Sequence, residues 1–169
     1  MPRHEIQPST PGRPRLYGRV KGKPLRRLQQ GLMDTLYPSL IIGDDPLSGS
    51  SKFDQVWMEI GFGGSEHLIW QARHNPNTAV LGAEPFINGV AKAVSGVSEH
   101  DLKNVRLFQG DGRLVMDRLP DASLDCIFVL FPDPWPKSRH NKRRIITPEF
   151  LGEVRRVLKP GGRFRRSLL

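Results

Sequence analysis

From Gln55 onward, short apolar runs alternate with helical patterns, and an acidic residue stands at or just beyond the end of each run. The runs are Val56-Trp57-Met58-Glu59-Ile60, Ala79-Val80-Leu81-Gly82-Ala83 before Glu84, Val105-Arg106-Leu107-Phe108 running toward Asp111, and residues 124–131, with Asp133 just past the last. Between them the spacing predicts helices over 66–72, 87–97 and 114–119. A further helix starts at Thr147-Pro148-Glu149, an N-cap, a first-turn proline and an early acid. Its apolar face is Phe150, Leu151, Val154, Val157 and Leu158, and Pro160-Gly161-Gly162 is expected to stop it. A fifth run begins at Arg163-Phe164. Strands alternating with helices over short connections imply a parallel sheet covered on both faces. Right-handed crossovers make that a doubly wound α/β domain.

In open α/β sheets, ligands bind outside the carboxyl ends of the strands. Glu59, Glu84, Asp111 and Asp133 fall there, 25, 27 and 22 residues apart, one strand–helix unit each. Any one of them alone is better read as a turn or cap residue; four in phase predict a nucleoside-type site. The glycine turn Gly61-Phe62-Gly63-Gly64 follows the first strand and precedes a helix. Gly61 and Gly63 admit positive φ and close approach of a ligand to the backbone. Glu84 lies about 20 residues on, where an acceptor for ribose hydroxyls is expected. A dinucleotide calls for a phosphate at the helix N-terminus, whereas Glu59, just before the turn, suits a cationic or amine-bearing ligand. S-adenosylmethionine carries a sulfonium, an amine, a ribose and an adenine, and an acid-lined pocket matches it better than a pyrophosphate.

Charge is segregated along the chain. The net charge is +9, yet residues 31–136 carry seven basic and fourteen acidic side chains. Residues 1–30 carry eight basic and one acidic, and residues 137–169 eleven basic and two acidic. Basic ends around an acidic middle favour a polyanionic partner, nucleic acid before membrane. The densest cationic run, Lys137, Arg139, Lys142, Arg143 and Arg144 with His140 and Asn141 among them, directly follows Asp133-Pro134-Trp135-Pro136. A carboxylate at a strand end beside a cationic platform suits chemistry on a polyanion. The plainer reading of such a run is a solvated surface. Trp135 suits stacking on a flipped base and equally suits packing within its own turn.

Other features bound the class. Residues 1–24, rich in proline and glycine, predict a disordered or loosely draped basic arm, and residues 25–169 form the domain. Leucines at 25, 28, 32 and 36 predict one short helix, and 38–52 a connector. One cysteine, Cys126, excludes an internal disulfide and reads as core in a reducing compartment. The five histidines show no metal-ligand spacing, and no window is long and apolar enough for a membrane span. Cytoplasm and a monomer are the expected setting and state.

The segments EIGFGGSEHL (59–68), GAEP (82–85), GDGR (110–113) and above all FPDPWPKSRHNKRR (131–144) resemble the bacterial tRNA (guanine-N7-)-methyltransferase family. The resemblance covers roughly residues 55–164. It implies a Rossmann-like methyltransferase sheet and transfer of a methyl group from S-adenosylmethionine to a guanine in the variable loop of tRNA. It further implies that Glu59, Glu84, Asp111 and Asp133 face the cofactor and that Asp133 also holds the catalytic position. Lys137 then matches a substrate contact, and Arg139, His140, Asn141, Lys142, Arg143 and Arg144 the RNA-contact segment.

Two departures stand out. Ser65 replaces the third glycine of the family's turn, with modest weakening expected. After Lys159-Pro160-Gly161-Gly162-Arg163-Phe164 the family continues to a substrate-contacting aspartate, a helix and two more strands, where this chain reads Arg165-Arg166-Ser167-Leu168-Leu169. A C-terminally incomplete sheet, lacking the usual last strands and with an exposed edge, is the corresponding expectation. Two alternatives stay open: another nucleic-acid methyltransferase, and a tRNA-binding fragment without activity. The order Asp133-Pro134-Trp135-Pro136 argues against the Asp/Asn-Pro-Pro-aromatic turn of enzymes acting on exocyclic adenine amines.

Overall fold

The apolar runs become strands buried on both faces, as parallel strands between helices must be. The computed structural model describes residues 18–130, 132 and 137–167. Strands β1 (Gln55–Ile60), β2 (Thr78–Glu84), β3 (Val105–Gln109), β4 (Leu124–Val129) and β5 (Leu158–Arg166) form one sheet in the order β3-β2-β1-β4-β5. Every pairing is parallel, with Trp57 opposite Val80 on one side and Cys126 on the other. This is the expected doubly wound α/β fold. The chain winds outward from β1 through β2 to β3, then returns to β4 and β5 on the other side, so the topological switch lies between β1 and β4.

Period-two alternation sends each strand's side chains to two different layers. Met58, Ile60, Leu81, Ile127 and Val129 pack under Val115 and Met116 of α5 (Gly112–Met116) and Phe150, Val154 and Val157 of α6 (Pro148–Val157). On the opposite face Val80 and Leu107 meet Leu68, Ile69 and Ala72 of α3 (Glu66–His74) and Val90, Val94 and Val97 of α4 (Ile87–Glu99). Asn104, buried at the start of β3, donates through Nδ2 to the carbonyls of Ala72, Asn75 and Thr78, pinning the end of α3 to the sheet.

Three local expectations need correction. The leucine-rich segment forms α1 (Arg27–Thr35), but a second helix, α2 (Tyr37–Leu40), follows inside the expected connector. Pro38 sits in the first turn of this helix without breaking it, because a first-turn residue needs no N–H donor. Tyr37 and Leu40 are buried there, and Ile41 bridges to Leu107 beside β3. Burial pushes the Tyr37 phenol up, and a hydrogen bond with the Gln109 backbone draws it partway back.

The second correction concerns Pro160-Gly161-Gly162. The helix already ends at Val157, and β5 starts at once. The triplet lies within β5 at an irregularity, where Leu124 pairs with Leu158 but Cys126 pairs with Arg163. Among the described strands β5 is at the sheet edge, where a proline without N–H and a bulge are tolerated. Third, α5 begins at Gly112 and not at Leu114, because Asp111 caps it.

Residues 18–24 hold no regular element but touch α4: Ile87 N donates to the Val20 carbonyl and Asn88 Nδ2 to that of Lys23. The rest of the N-terminal basic segment, residues 1–17, lies outside the described residues.

Candidate functional site

The site is built where β1, β2 and β3 end. Ile60 leads into the turn 61–65, which α3 follows. Gly61 and Gly63 have φ of 73° and 54°, the left-handed region that glycine enters without strain, and among the described residues no atom beyond the adjoining ones lies within 4 Å of where their Cβ atoms would be. The backbone is therefore open to close approach there. Ser65 also has φ 71°, so the third family glycine falls at a position with a real backbone demand, one that a serine meets under strain.

Glu84 ties the turn to the second strand. Its Oε2 accepts the Gly63 N–H at 2.7 Å and its Oε1 the Phe86 N–H at 2.9 Å. The residue is 6% exposed. A carboxylate oxygen accepts through two lone pairs, the chemistry that suits hydroxyls. Helix α4 packs hard against this turn. A Cβ on Gly89 would stand 2.2 Å from the Gly63 carbonyl oxygen, so only glycine fits.

Glu59 is the penultimate residue of β1 and 3% exposed. Its Oε2 is 2.8 Å from His67 Nδ1 on the first turn of α3. The His67 ring stands edge-on to Phe128 of β4, with centroids 4.8 Å apart. Asp111 caps α5 by accepting the Arg113 N–H at 3.0 Å. The Arg113 guanidinium also donates to both carboxylate oxygens, from Nε at 3.0 and 2.9 Å and from Nη2 at 2.6 Å. Three of the four in-phase acids thus gather at neighbouring strand ends, each already held by a donor.

Asp133 and Trp135 lie outside the described residues, as do the side chains of His140, Asn141 and Lys142. The basic run folds over Ser138–Arg143 as a 3-10 helix. Lys137, Arg139 and Arg144 are exposed and Arg143 is half-buried. Sequence reading missed His67, Gln71, Phe86, Gly89 and Arg113. His67 and Gln71 carried a usable signal, one helical turn apart directly after a glycine turn. Gly89 gave none, because nothing local marks a helical glycine that touches another loop.

A cavity of about 470 Å³ lies elsewhere, among Phe53, Ala79, Val105, Asn104 and Arg106 at the strands' entry ends, and holds none of these acids. Among the described residues no group of three or more His, Cys, Asp or Glu side chains could hold a metal ion. No helix among them is long and apolar enough to cross a membrane.

Comparison with known proteins bears on this arrangement. The family model described as "Putative methyltransferase" matches residues 54–166. The tRNA (guanine-N(7)-)-methyltransferase of Caulobacter vibrioides is 52% identical over 164 residues, 93% of this chain and 73% of its own length. That of Hyphomonas neptunium is 46% identical over 156 residues, 89% of this chain and 71% of its own. The fold overlays solved methyltransferases at low identity. For 16S rRNA methyltransferase KamB the TM-score is 0.55 at 22% identity, over 72% of this chain and 56% of that one. For the antibiotic-resistance methyltransferase Kmr it is 0.54 at 17%, over 73% and 64%. These structural likenesses show the methyltransferase-type fold.

Proposed function

The chain belongs to the tRNA (guanine-N(7)-)-methyltransferase family, and we propose that it transfers a methyl group from S-adenosylmethionine to N7 of a guanine in the variable loop of tRNA. The observation that carries the reading is the gathering of Glu59, Glu84 and Asp111 around an open glycine turn at the strand ends. The residues fit the cofactor. The turn leaves room against its backbone, the adjacent acids suit a cation and a ribose, and Arg113 is already paired with Asp111.

Bound there, S-adenosylmethionine would supply an electrophilic methyl group on a cationic sulfur. Glu84, an acceptor at the end of β2 beside the glycine turn, accepts ribose hydroxyls. Glu59 presents a negative charge toward the cationic part of the ligand. Guanine N7 has a lone pair and no proton, so no residue needs to act as a base. The protein must hold the base in line and stabilise the positive charge that develops on the purine. Asp133, at the exit of β4, takes that second role. Lys137 holds a phosphate or the guanine O6, and Arg139, His140, Asn141, Lys142, Arg143 and Arg144 engage the tRNA, the cations among them neutralising phosphates. The protein acts as a monomer in the reducing cytoplasm.

The test is incubation with labelled S-adenosylmethionine and unmodified tRNA, followed by strand cleavage at N7-methylguanosine. Label at a variable-loop guanine supports the reading, and label at another base or atom overturns it. RNA binding without cofactor binding identifies an inert tRNA-binding protein. Asp133→Asn is expected to abolish transfer and leave tRNA affinity nearly unchanged; equal loss of both contradicts its role.

A further inference from the structure

Three side chains at i, i+4 and i+8 along α3 and its C-cap form a hydrogen-bonded line that ends on the buried Glu59. Asn75 Nδ2 donates to Gln71 Oε1 at 3.2 Å. Gln71 Nε2 lies 3.1 Å from His67 Nε2, and His67 Nδ1 lies 2.8 Å from Glu59 Oε2. The donor directions are mutually determined. Because Asn75 occupies the Gln71 amide oxygen, the Gln71 amide nitrogen faces the imidazole. It can only donate, so His67 Nε2 must accept. The ring proton then resides on Nδ1 and points at the carboxylate. The line fixes one neutral tautomer, and the edge contact with Phe128 fixes the ring plane.

The consequence concerns charge. A carboxylate as buried as Glu59 keeps its negative charge at low cost only when donors face it. Among the described residues His67 is its sole hydrogen-bond partner. A neutral imidazole supplies the donor without cancelling the charge, and among the described residues Glu59 Oε1 has no donor. A lysine or arginine in its place would stabilise the carboxylate equally and also neutralise it. We infer that His67, its tautomer set by Gln71, is a positioning residue that holds the Glu59 carboxylate through a neutral donor toward the cationic cofactor and so favours S-adenosylmethionine over its thioether product, which lacks the sulfonium charge. The inference rests on the reading of Glu59 as a cofactor-facing acid.

Calorimetric titration of the full chain with S-adenosylmethionine and with S-adenosylhomocysteine tests it. His67→Phe is expected to weaken S-adenosylmethionine about tenfold, the scale of one hydrogen bond to a charged group, and to weaken the thioether less. His67→Asn places an amide nitrogen where Nδ1 stands and should restore affinity to within about threefold; His67→Gln, which mimics Nε2, should not. Long-range ¹H–¹⁵N NMR should show a single Nδ1–H tautomer for His67 that becomes mixed in Gln71→Leu. An Nε2–H tautomer, or an Asn variant as weak as the Phe variant, overturns the inference. Glu59→Gln separates the two levels. If it loses affinity while His67→Phe does not, the line fails and the site reading stands. If it binds like the wild type, the site reading fails and the inference with it.

Discussion

The Glu84 carboxylate accepts the Gly63 N–H at 2.7 Å, so the end of β2 fixes the conformation of the turn that leaves β1. One side chain therefore shapes the backbone against which a ligand would lie and also lines the site.

That double duty predicts a coupled loss. Glu84→Ala leaves the Gly63 and Phe86 amides without their acceptor and should destabilise the protein by about 2–3 kcal/mol. It should also weaken S-adenosylmethionine binding. Glu84→Gln keeps one acceptor oxygen and should lose less stability. Urea denaturation and calorimetric titration read the two effects separately. Stability loss with unchanged cofactor affinity would reduce Glu84 to a structural tie.

Ser65 sits at φ 71° with no side-chain cap hydrogen bond. A left-handed conformation costs a non-glycine residue roughly 1–2 kcal/mol, and glycine returns part of that gain as unfolded-chain entropy. Ser65→Gly should therefore stabilise the fold by about 0.5–1 kcal/mol. A lower denaturation midpoint would contradict the strain argument.

Arg139 and Arg144 are exposed on and beside the 3-10 helix of Ser138–Arg143. If they meet tRNA phosphates, replacing both by alanine should lower tRNA affinity. The slope of log affinity against log salt should flatten by about one to two. Filter binding or fluorescence anisotropy at several salt concentrations measures this. An unchanged slope would make the run a solvated surface.

Cys126 is fully buried in β4 between β1 and β5. Burial pushes its thiol up, and Arg163 and Arg165 pull it partway back. The native thiol should resist alkylation at pH 8 until the protein unfolds. Because the folded value is raised, the unfolded chain ionises first, near pH 8.5 for an ordinary thiol. The associated stability is full below that pH and is lost as pH rises from there through the folded value. The stability difference between wild type and Cys126→Ala, from urea midpoints between pH 7.5 and 9.5, should shift against the wild type as pH rises.

The strands, their order along the chain and most helices were legible because burial on both faces leaves continuous apolar runs, and helices leave a 3.6-residue period. Capping chemistry placed the start of α6 correctly through Thr147, whose hydroxyl accepts the Phe150 N–H. The errors arose where a proline's meaning depends on its neighbours. Pro38 lies in the first turn of a helix because Tyr37 and Leu40 find a pocket beside β3. Pro160 enters a strand because β5 pairs on one side only among the described residues.

The sequence by itself determined the α/β winding and the in-phase acids, because strand ends and turns are local and recur with each unit. It also determined the demand at the glycine turn, since backbone conformation is a property of a few adjacent residues. Only the tertiary structure decided what holds each acid. Glu59 meets His67 eight residues on, Glu84 reaches back 21 residues to Gly63, and Asp111 turns to Arg113 two residues away. Charge spacing cannot distinguish these partners. Hydrogen-bond direction requires atoms placed to within tenths of an ångström, and only the packing of α3 and α4 on the sheet places them so.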